Sequence, residues 1–230
     1  MPELPTIAAD LLLSRKAIAF DLDGTLVDSV ADLRMAAHLA LLECGHPGLP
    51  DDYRMPNLHG VFPALIHAVM RDRGVSDDEL GPVSQAYARH YNELGHKQSR
   101  LYPGVKALLD ECRSRGVPMA VCTNKMRAPA LMVLENCGIL DYFVDVAGSD
   151  TVAQPKPEPM ALLRAFGIMG AVPQDCCYVG YTHIDAISSA RAGTPFVLHQ
   201  GGYGDPSLLS GQPVAAVFAD YEELTGALAD

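Results

Sequence analysis

Among its 230 residues the chain has no apolar run approaching the length of a membrane span. Its opening "MPELPTIAADLLLSRK" has neither a basic segment ahead of its apolar residues nor an A-x-A cleavage pattern, so the expectation is a cytoplasmic protein with no membrane partner. Positive charge is scarce. Lys and Arg number 17 against 28 Asp and Glu, and the formal charge of -11 repels phosphate backbones, which argues against nucleic acid as a partner. The six cysteines, Cys44, Cys112, Cys122, Cys137, Cys176 and Cys177, contain no C-x-x-C pair and sit in apolar helix and strand patterns, the setting of reduced, buried thiols. Eight histidines include no H-x-x-x-H and no Cys/His grouping at zinc spacing. Residues 29–96 contain no lysine, and the chain has no internal repeat or low-complexity segment.

What remains is a chain with 49% hydrophobic residues, long enough for one large domain or a core with an insert. Ala17 to Phe20 reads as a buried strand that ends in "DLDGTLVDS". Val30, Leu33, Ala37, Ala40, Leu41 and Cys44 then repeat at helical spacing up to Gly45, and a second apolar face follows around Leu65, Ala68 and Val69. Ser76 to Glu79 has the form of a capping box opening a third helix, with Gly81-Pro82 expected to disturb it early. Residues 29–98 therefore read as a helical insert. From "LYPGV" onward helices and short apolar strands alternate: helices 105–115, 128–137, 159–166 and 184–192, and strands 118–122, 142–147, 176–179 and 196–199. That order predicts an α/β fold with a Rossmann-like parallel sheet, with core residues 1–28 and 99–230 and a helical cap of residues 29–98 after the first strand.

Four polar stretches leave the carboxyl ends of strands, where open parallel sheets hold their ligands: "DLDGTLVDS" at Asp21, "CTNK" at Cys122, "PKPEP" at Pro155 and "GYTHID" at Gly180. Asp21 and Asp23 are separated by one residue and can leave the strand end toward one site. One carboxylate can attack phosphorus while the other protonates the leaving oxygen and then activates water. Gly24 permits a turn most residues resist, and Thr25 can tie it down by hydrogen bonding. An acidic turn that caps a helix explains Asp28 and Ser29, but not the whole DxDGT run. A dianionic phosphate among these carboxylates needs positive charge, for which Mg²⁺, Lys156 and backbone N–H groups are the candidates.

The four stretches, in this order, resemble the motifs of the haloacid dehalogenase superfamily of phosphohydrolases over nearly the whole chain. "YPGV", "TNK", "KPEP" and the early helical insert are most similar to the phosphoglycolate phosphatases within it. The resemblance implies Asp21 as nucleophile, Asp23 as acid/base, Thr123 as a hydrogen-bond donor to the phosphoryl group, and Lys156 as the cation that neutralises phosphate and nucleophile. It implies Gly24, Thr25, Asn124 and, in the insert, His59 as substrate-binding residues, and Mg²⁺ held by Asp21, Asp23 and Asp185. A solvated role for Lys125 and an exposed helix-entry position for His59 stand beside these assignments. "GGYG" at 201–204 reads as a loop, and Cys122 as a buried strand thiol rather than a nucleophile.

The fourth stretch departs from the family's pattern. An acid usually follows the glycine, and here Tyr181 does. A phenol, with its pKa near 10, is neutral at pH 7 and a poor ligand for Mg²⁺. The expected activity is Mg²⁺-dependent hydrolysis of a small phosphate monoester, phosphoglycolate or a sugar phosphate, through an aspartyl-phosphate, impaired to the extent that Tyr181 weakens the metal site. The alternative is a catalytically weak or inactive protein of the same fold with a phosphate-binding or interaction role. A carbon-halogen hydrolase would not need Asp23, a phosphonate-cleaving member would want a lysine in the insert, and a sugar-phosphate mutase would share the aspartyl-phosphate step. Its partner would be a small phosphorylated metabolite, and the protein itself a monomer or homodimer.

Overall fold

The computed structural model describes residues 4–55 and 64–227, so the segment carrying His59 lies outside the described residues. At its centre is a six-stranded parallel sheet in the order β5-β4-β1-β6-β7-β8. Its strands are β1 (Ala17–Phe20), β4 (Met119–Cys122), β5 (Phe143–Ala147), β6 (Cys176–Gly180), β7 (Phe196–His199) and β8 (Ala216–Phe218). All residues of β1, β4, β6 and β7 are buried, which is why these strands read as continuous apolar runs.

The pleat sends alternate residues to two separate cores. Ile18 and Phe20 pack with α1 (Leu4–Leu13), α5 (Val105–Ser114), α6 (Arg127–Asn136) and α9 (Tyr221–Gly226), while Ala17 and Ala19 face α7 (Met160–Ile168) and α8 (His183–Ala192). The chain winds outward from β1 through β4 and β5, then crosses back to β6 and continues through β7 and β8. Its direction reverses between β1 and β6, and the crevice beyond their carboxyl ends is where such sheets take ligands.

Between β2 (Val27–Asp28) and β3 (Arg100–Leu101), which pair antiparallel, lie α2 (Val30–Glu43), α3 (Ala64–Asp72) and α4 (Leu80–Glu93). These helices have a core of their own, built from Leu33, Ala37, Leu41, Ile66, Val69, Met70, Val83 and Tyr87 among others. Asp28 Oδ1 accepts from Val30 N at 3.1 Å at the start of α2, whereas the Ser29 side chain makes no cap. Asp32 is buried and ties α2 to the returning chain, accepting from Gln98 N at 3.1 Å and from Ser99 Oγ at 2.7 Å.

The segment after Ser76 differs from expectation. Ser76 donates to the Glu79 carboxylate, but α4 begins only at Leu80, with Gly81-Pro82 in its first turn. Proline opens this helix and does not disturb it, because a first-turn residue has no intrahelical partner for its N–H in any case. No helix among the described residues is long and apolar enough to cross a membrane.

Candidate active site

The β1 strand delivers Asp21, and the chain then turns sharply through Gly24, whose φ is 79° and whose N–H donates to Val27 O at 2.8 Å. Two residues distant in the sequence hold this turn. Buried His199, at the end of β7, places Nδ1 3.1 Å from Gly24 O, and Tyr221 on α9 donates its hydroxyl to Thr25 O at 2.9 Å. The Thr25 hydroxyl, expected to tie the turn down, is buried without a partner. Neither His199 nor Tyr221 announces itself in the sequence, since each lies more than 170 positions away from the turn.

Thr123 and Asn124 leave β4, Lys156 follows β5, and Tyr181, Thr182 and Asp185 follow β6. With Asp21, Asp23 and Lys125 they line one cleft of about 160 Å³, whose opposite wall comes from α2, α3 and α4. Gly24 and Thr25 are buried and do not line it.

Two ammonium groups organise the carboxylates. Lys156 Nζ, almost fully buried, lies 2.9 Å from Asp21 Oδ1 and 2.6 Å from Asp185 Oδ1, and donates to Tyr178 Oη at 2.8 Å. An ammonium has three N–H donors, and all three are engaged. Lys125 Nζ is 2.9 and 3.1 Å from the two oxygens of Asp23, and its remaining contact is with Tyr91 Oη on α4. It is therefore a bridge from the acid/base candidate to the helical insert, not a solvated side chain.

Lys156 is shared unequally. Asp185 also has the Thr182 hydroxyl and backbone N–H groups around it, and these together with Lys156 hold its carboxyl below the usual range despite its burial. Asp21 has fewer compensating donors. Burial, reinforced by the Asp185 charge, outweighs the attraction of Lys156 and pushes the Asp21 carboxyl up to about 7.

Thr123 Oγ accepts from Lys125 N at 3.2 Å, and a hydroxyl in that position retains a proton to donate. Asn124 donates to Lys156 O at 3.1 Å, and its Oδ1 is buried without a partner.

The residues present do not fit a resident Mg²⁺, which takes six oxygen ligands in near-octahedral geometry. Asp185 Oδ2 accepts from Tyr181 N at 3.2 Å, Thr182 N at 3.0 Å and Thr182 Oγ at 2.7 Å, forming the capping box of α8, while its Oδ1 faces Lys156 and Tyr178. No group of three or more His, Cys, Asp or Glu converges as a cation cage among the described residues. Tyr181 is buried, and burial pushes its phenol well above its ordinary value, so it offers a neutral oxygen. The third member of the donor set expected from the sequence is thus spent on a helix cap and a lysine.

The Tyr181 ring is closely fitted. A Cβ on Gly24 would lie 2.7 Å from it, and one on Gly202 would also lie 2.7 Å from its side chain. Tyr203 packs edge-on against it at 5.2 Å between ring centroids, with its own hydroxyl 3.2 Å from Ser29 Oγ. The "GGYG" loop is therefore the seat of Tyr181.

A parallel sheet with acids, threonine and lysine at the carboxyl ends of β1, β4 and β5 defines a class of hydrolase, and comparison with known proteins gives the same class. The family model of the haloacid dehalogenase-like hydrolases matches residues 18–199, and the chain belongs to that family. Within it the chain is similar to proteins named phosphoglycolate phosphatase. One from Vibrio vulnificus strain CMCP6 is 36% identical over 90% of either chain, and one from Neisseria meningitidis strain Z2491 is 36% identical over 85% of this chain and 84% of its own. A crystal structure described as a predicted phosphoglycolate phosphatase, from Haemophilus somnus 129PT, superposes with a TM-score of 0.81 at 26% identity, covering 93% of this chain and 97% of its own. A haloacid dehalogenase-like hydrolase from Streptococcus pneumoniae superposes with a TM-score of 0.76 at 25% identity, over 93% and 98%.

Proposed function

We propose that the protein hydrolyses a small phosphate monoester, a phosphorylated metabolite, through an aspartyl-phosphate on Asp21. The observation that carries this reading is the convergence of Asp21, Asp23, Thr123 and Lys156 on one cleft from the ends of three neighbouring strands. An Asp21 oxygen attacks phosphorus, the bond from phosphorus to the ester oxygen breaks, and Asp23 gives its proton to the departing alkoxide. Asp23 then takes a proton from water, the water oxygen attacks the phosphoryl group, and Asp21 and phosphate separate. Lys125 Nζ, which is shared between both Asp23 oxygens, would release one of them for that oxygen to face the leaving group. Thr123 and Lys156 hold the phosphoryl oxygens.

Residues 1–28 and 99–230 would form the catalytic core, and residues 29–98 a cap that selects the substrate and excludes water. The relatives' names put phosphoglycolate first among the esters to assay, and the sequence motifs put sugar phosphates beside it. Mg²⁺ would find only Asp21 and Asp23 as carboxylates and would be held weakly, with Asp185 committed elsewhere. The seating of Tyr181 favours a second reading, a phosphate-binding protein with little turnover.

Asp21→Asn is expected to lower phosphate release from p-nitrophenyl phosphate at least about a thousandfold with an unchanged circular dichroism spectrum, and to abolish phosphate incorporation seen by mass spectrometry. Undiminished release from the purified variant would remove Asp21 as the nucleophile. No release from the unaltered protein, with retained phosphate binding, would favour the second reading.

A further inference from the structure

We infer that Tyr91 of the helical insert is a positioning residue for the chemical step: its hydroxyl holds the Lys125 ammonium so that Asp23 is free to give its proton to the leaving alcohol. The inference rests on the phosphatase reading and adds to it a residue of the insert that acts through another side chain. Three observations carry it.

The first is the contact itself. Lys125 Nζ has three N–H donors, two directed at the Asp23 oxygens at 2.9 and 3.1 Å and one at Tyr91 Oη. Tyr91 lies on α4 and lines the same cleft as Asp21, Asp23 and Lys125, so this hydrogen bond runs from the insert into the catalytic set.

The second is that the ring is fixed. Tyr91 is 8% exposed, stacks on Tyr87 at 5.6 Å between centroids with 11° between the planes, and packs edge-to-face with His96 at 4.3 Å. Lys125 Nζ also stands 5.0 Å from the centre of the Tyr91 ring, within the range of a cation–π attraction. Phenylalanine could make every one of these ring contacts. What tyrosine adds is the oxygen that meets Lys125, and a buried hydroxyl of this kind usually has such a partner.

The third is the difference between the two acceptors. Burial holds the Tyr91 phenol well above its ordinary value, so its oxygen is a neutral acceptor. A carboxylate binds an ammonium more strongly than a neutral oxygen does, and an oxygen so occupied cannot face the ester. By keeping one N–H engaged on the side of the insert, Tyr91 prevents Lys125 from closing wholly on Asp23. One Asp23 oxygen can then turn to the substrate. In the step so served, an Asp21 oxygen bonds to phosphorus, the bond from phosphorus to the ester oxygen breaks with its electron pair on that oxygen, and the Asp23 proton passes to it. Lys125 and Tyr91 keep all their protons.

Tyr91→Phe in the full chain keeps the ring and removes the oxygen. Its kcat/KM, which covers the first irreversible step and not the later attack of water, is compared for two esters. The alkoxide of 2-phosphoglycolate needs a proton to leave, whereas p-nitrophenyl phosphate releases a stable anion. The loss should be at least about tenfold greater for 2-phosphoglycolate, part of the roughly 100- to 10,000-fold that a positioned acid contributes. A fault in packing would slow both esters alike. In a Lys125→Met background the same substitution should shift the ratio of the two esters by less than about twofold, because a residue that acts through Lys125 then has nothing to position. Where that double variant does not fold, the first measurement alone decides. Equal losses for the two esters, or an undiminished shift of the ratio without Lys125, overturns the inference and leaves the phosphatase reading intact. If the unaltered protein releases phosphate from neither ester, both are overturned.

Discussion

Tyr181 stands where the family usually has a carboxylate, and two features of its surroundings show a position built around an aromatic ring. Gly24 and Gly202 leave the space it occupies, and Tyr203 packs edge-on against it. Restoring an acid therefore has two opposed consequences. Tyr181→Asp removes a buried ring, for which large-to-small core changes cost about 3 to 5 kcal/mol, and it adds a carboxylate beside Asp21 and Asp23. We expect the variant to melt at a lower temperature than the unaltered protein without Mg²⁺ and to recover part of the loss when Mg²⁺ is added, since a ligand that binds only the folded state stabilises by mass action. Its Mg²⁺ affinity by calorimetry should rise at least about tenfold, because loss of even an outer partner commonly costs a factor of 10 to 100. Equal Mg²⁺ affinity in the two proteins would show that Tyr181 does not limit the metal.

Among the elements, the strands and helices from Val105 to His199 were legible in the sequence because each is a short apolar run or a helical stripe closed by glycine, and the observed bounds differ from the expected ones by only a residue or two. The β2 and β3 strands have two residues each, too short for any period, and α1, β8 and α9 gave no usable signal. Of the site, the four stretches at the strand ends were legible through their order. The engagement of Lys125 with Tyr91 and Asp23 was not, because it joins residues 34 and 102 positions apart through the packing of the insert on the core. His96, between α4 and β3, was equally silent. It is a fully buried histidine at a φ of 55°, its ring is edge-on to Tyr91 at 4.3 Å, and both ring nitrogens lack partners. Burial, helped by the charge of Lys125, depresses its pKa from 6.5 to about 4. The unfolded chain therefore takes up the proton first on acidification, and the contribution of His96 is complete above about 6.5 and is lost as the pH falls to about 4. His96→Asn keeps a residue that tolerates positive φ and removes the titration. The melting temperature of the unaltered protein should fall by several degrees more than that of the variant between pH 7 and pH 4.5. Parallel curves would show that the ring titrates without coupling to folding.

For the whole molecule the formal charge is -11, and within the cleft three carboxylates face two ammonium groups. Long-range and local fields thus have the same sign, and both repel a phosphate dianion. Enzymes that steer charged substrates with an opposite field lose rate as salt screens the attraction, so here the dependence is inverted. At 0.01 M ionic strength the screening length is about 30 Å, so the approaching ester experiences much of the molecule's charge; at 0.15 M it is about 8 Å, and only the cleft itself acts. We expect kcat/KM for a phosphate monoester to rise about two- to tenfold between these conditions, with kcat nearly constant because the bound state is screened far less. The steady-state rate of phosphate release over a sodium chloride series at fixed pH measures this directly. A fall in kcat/KM with salt would mean that Lys125 and Lys156 dominate the field at the mouth of the cleft, and that their carboxylate partners are not all charged when the substrate arrives.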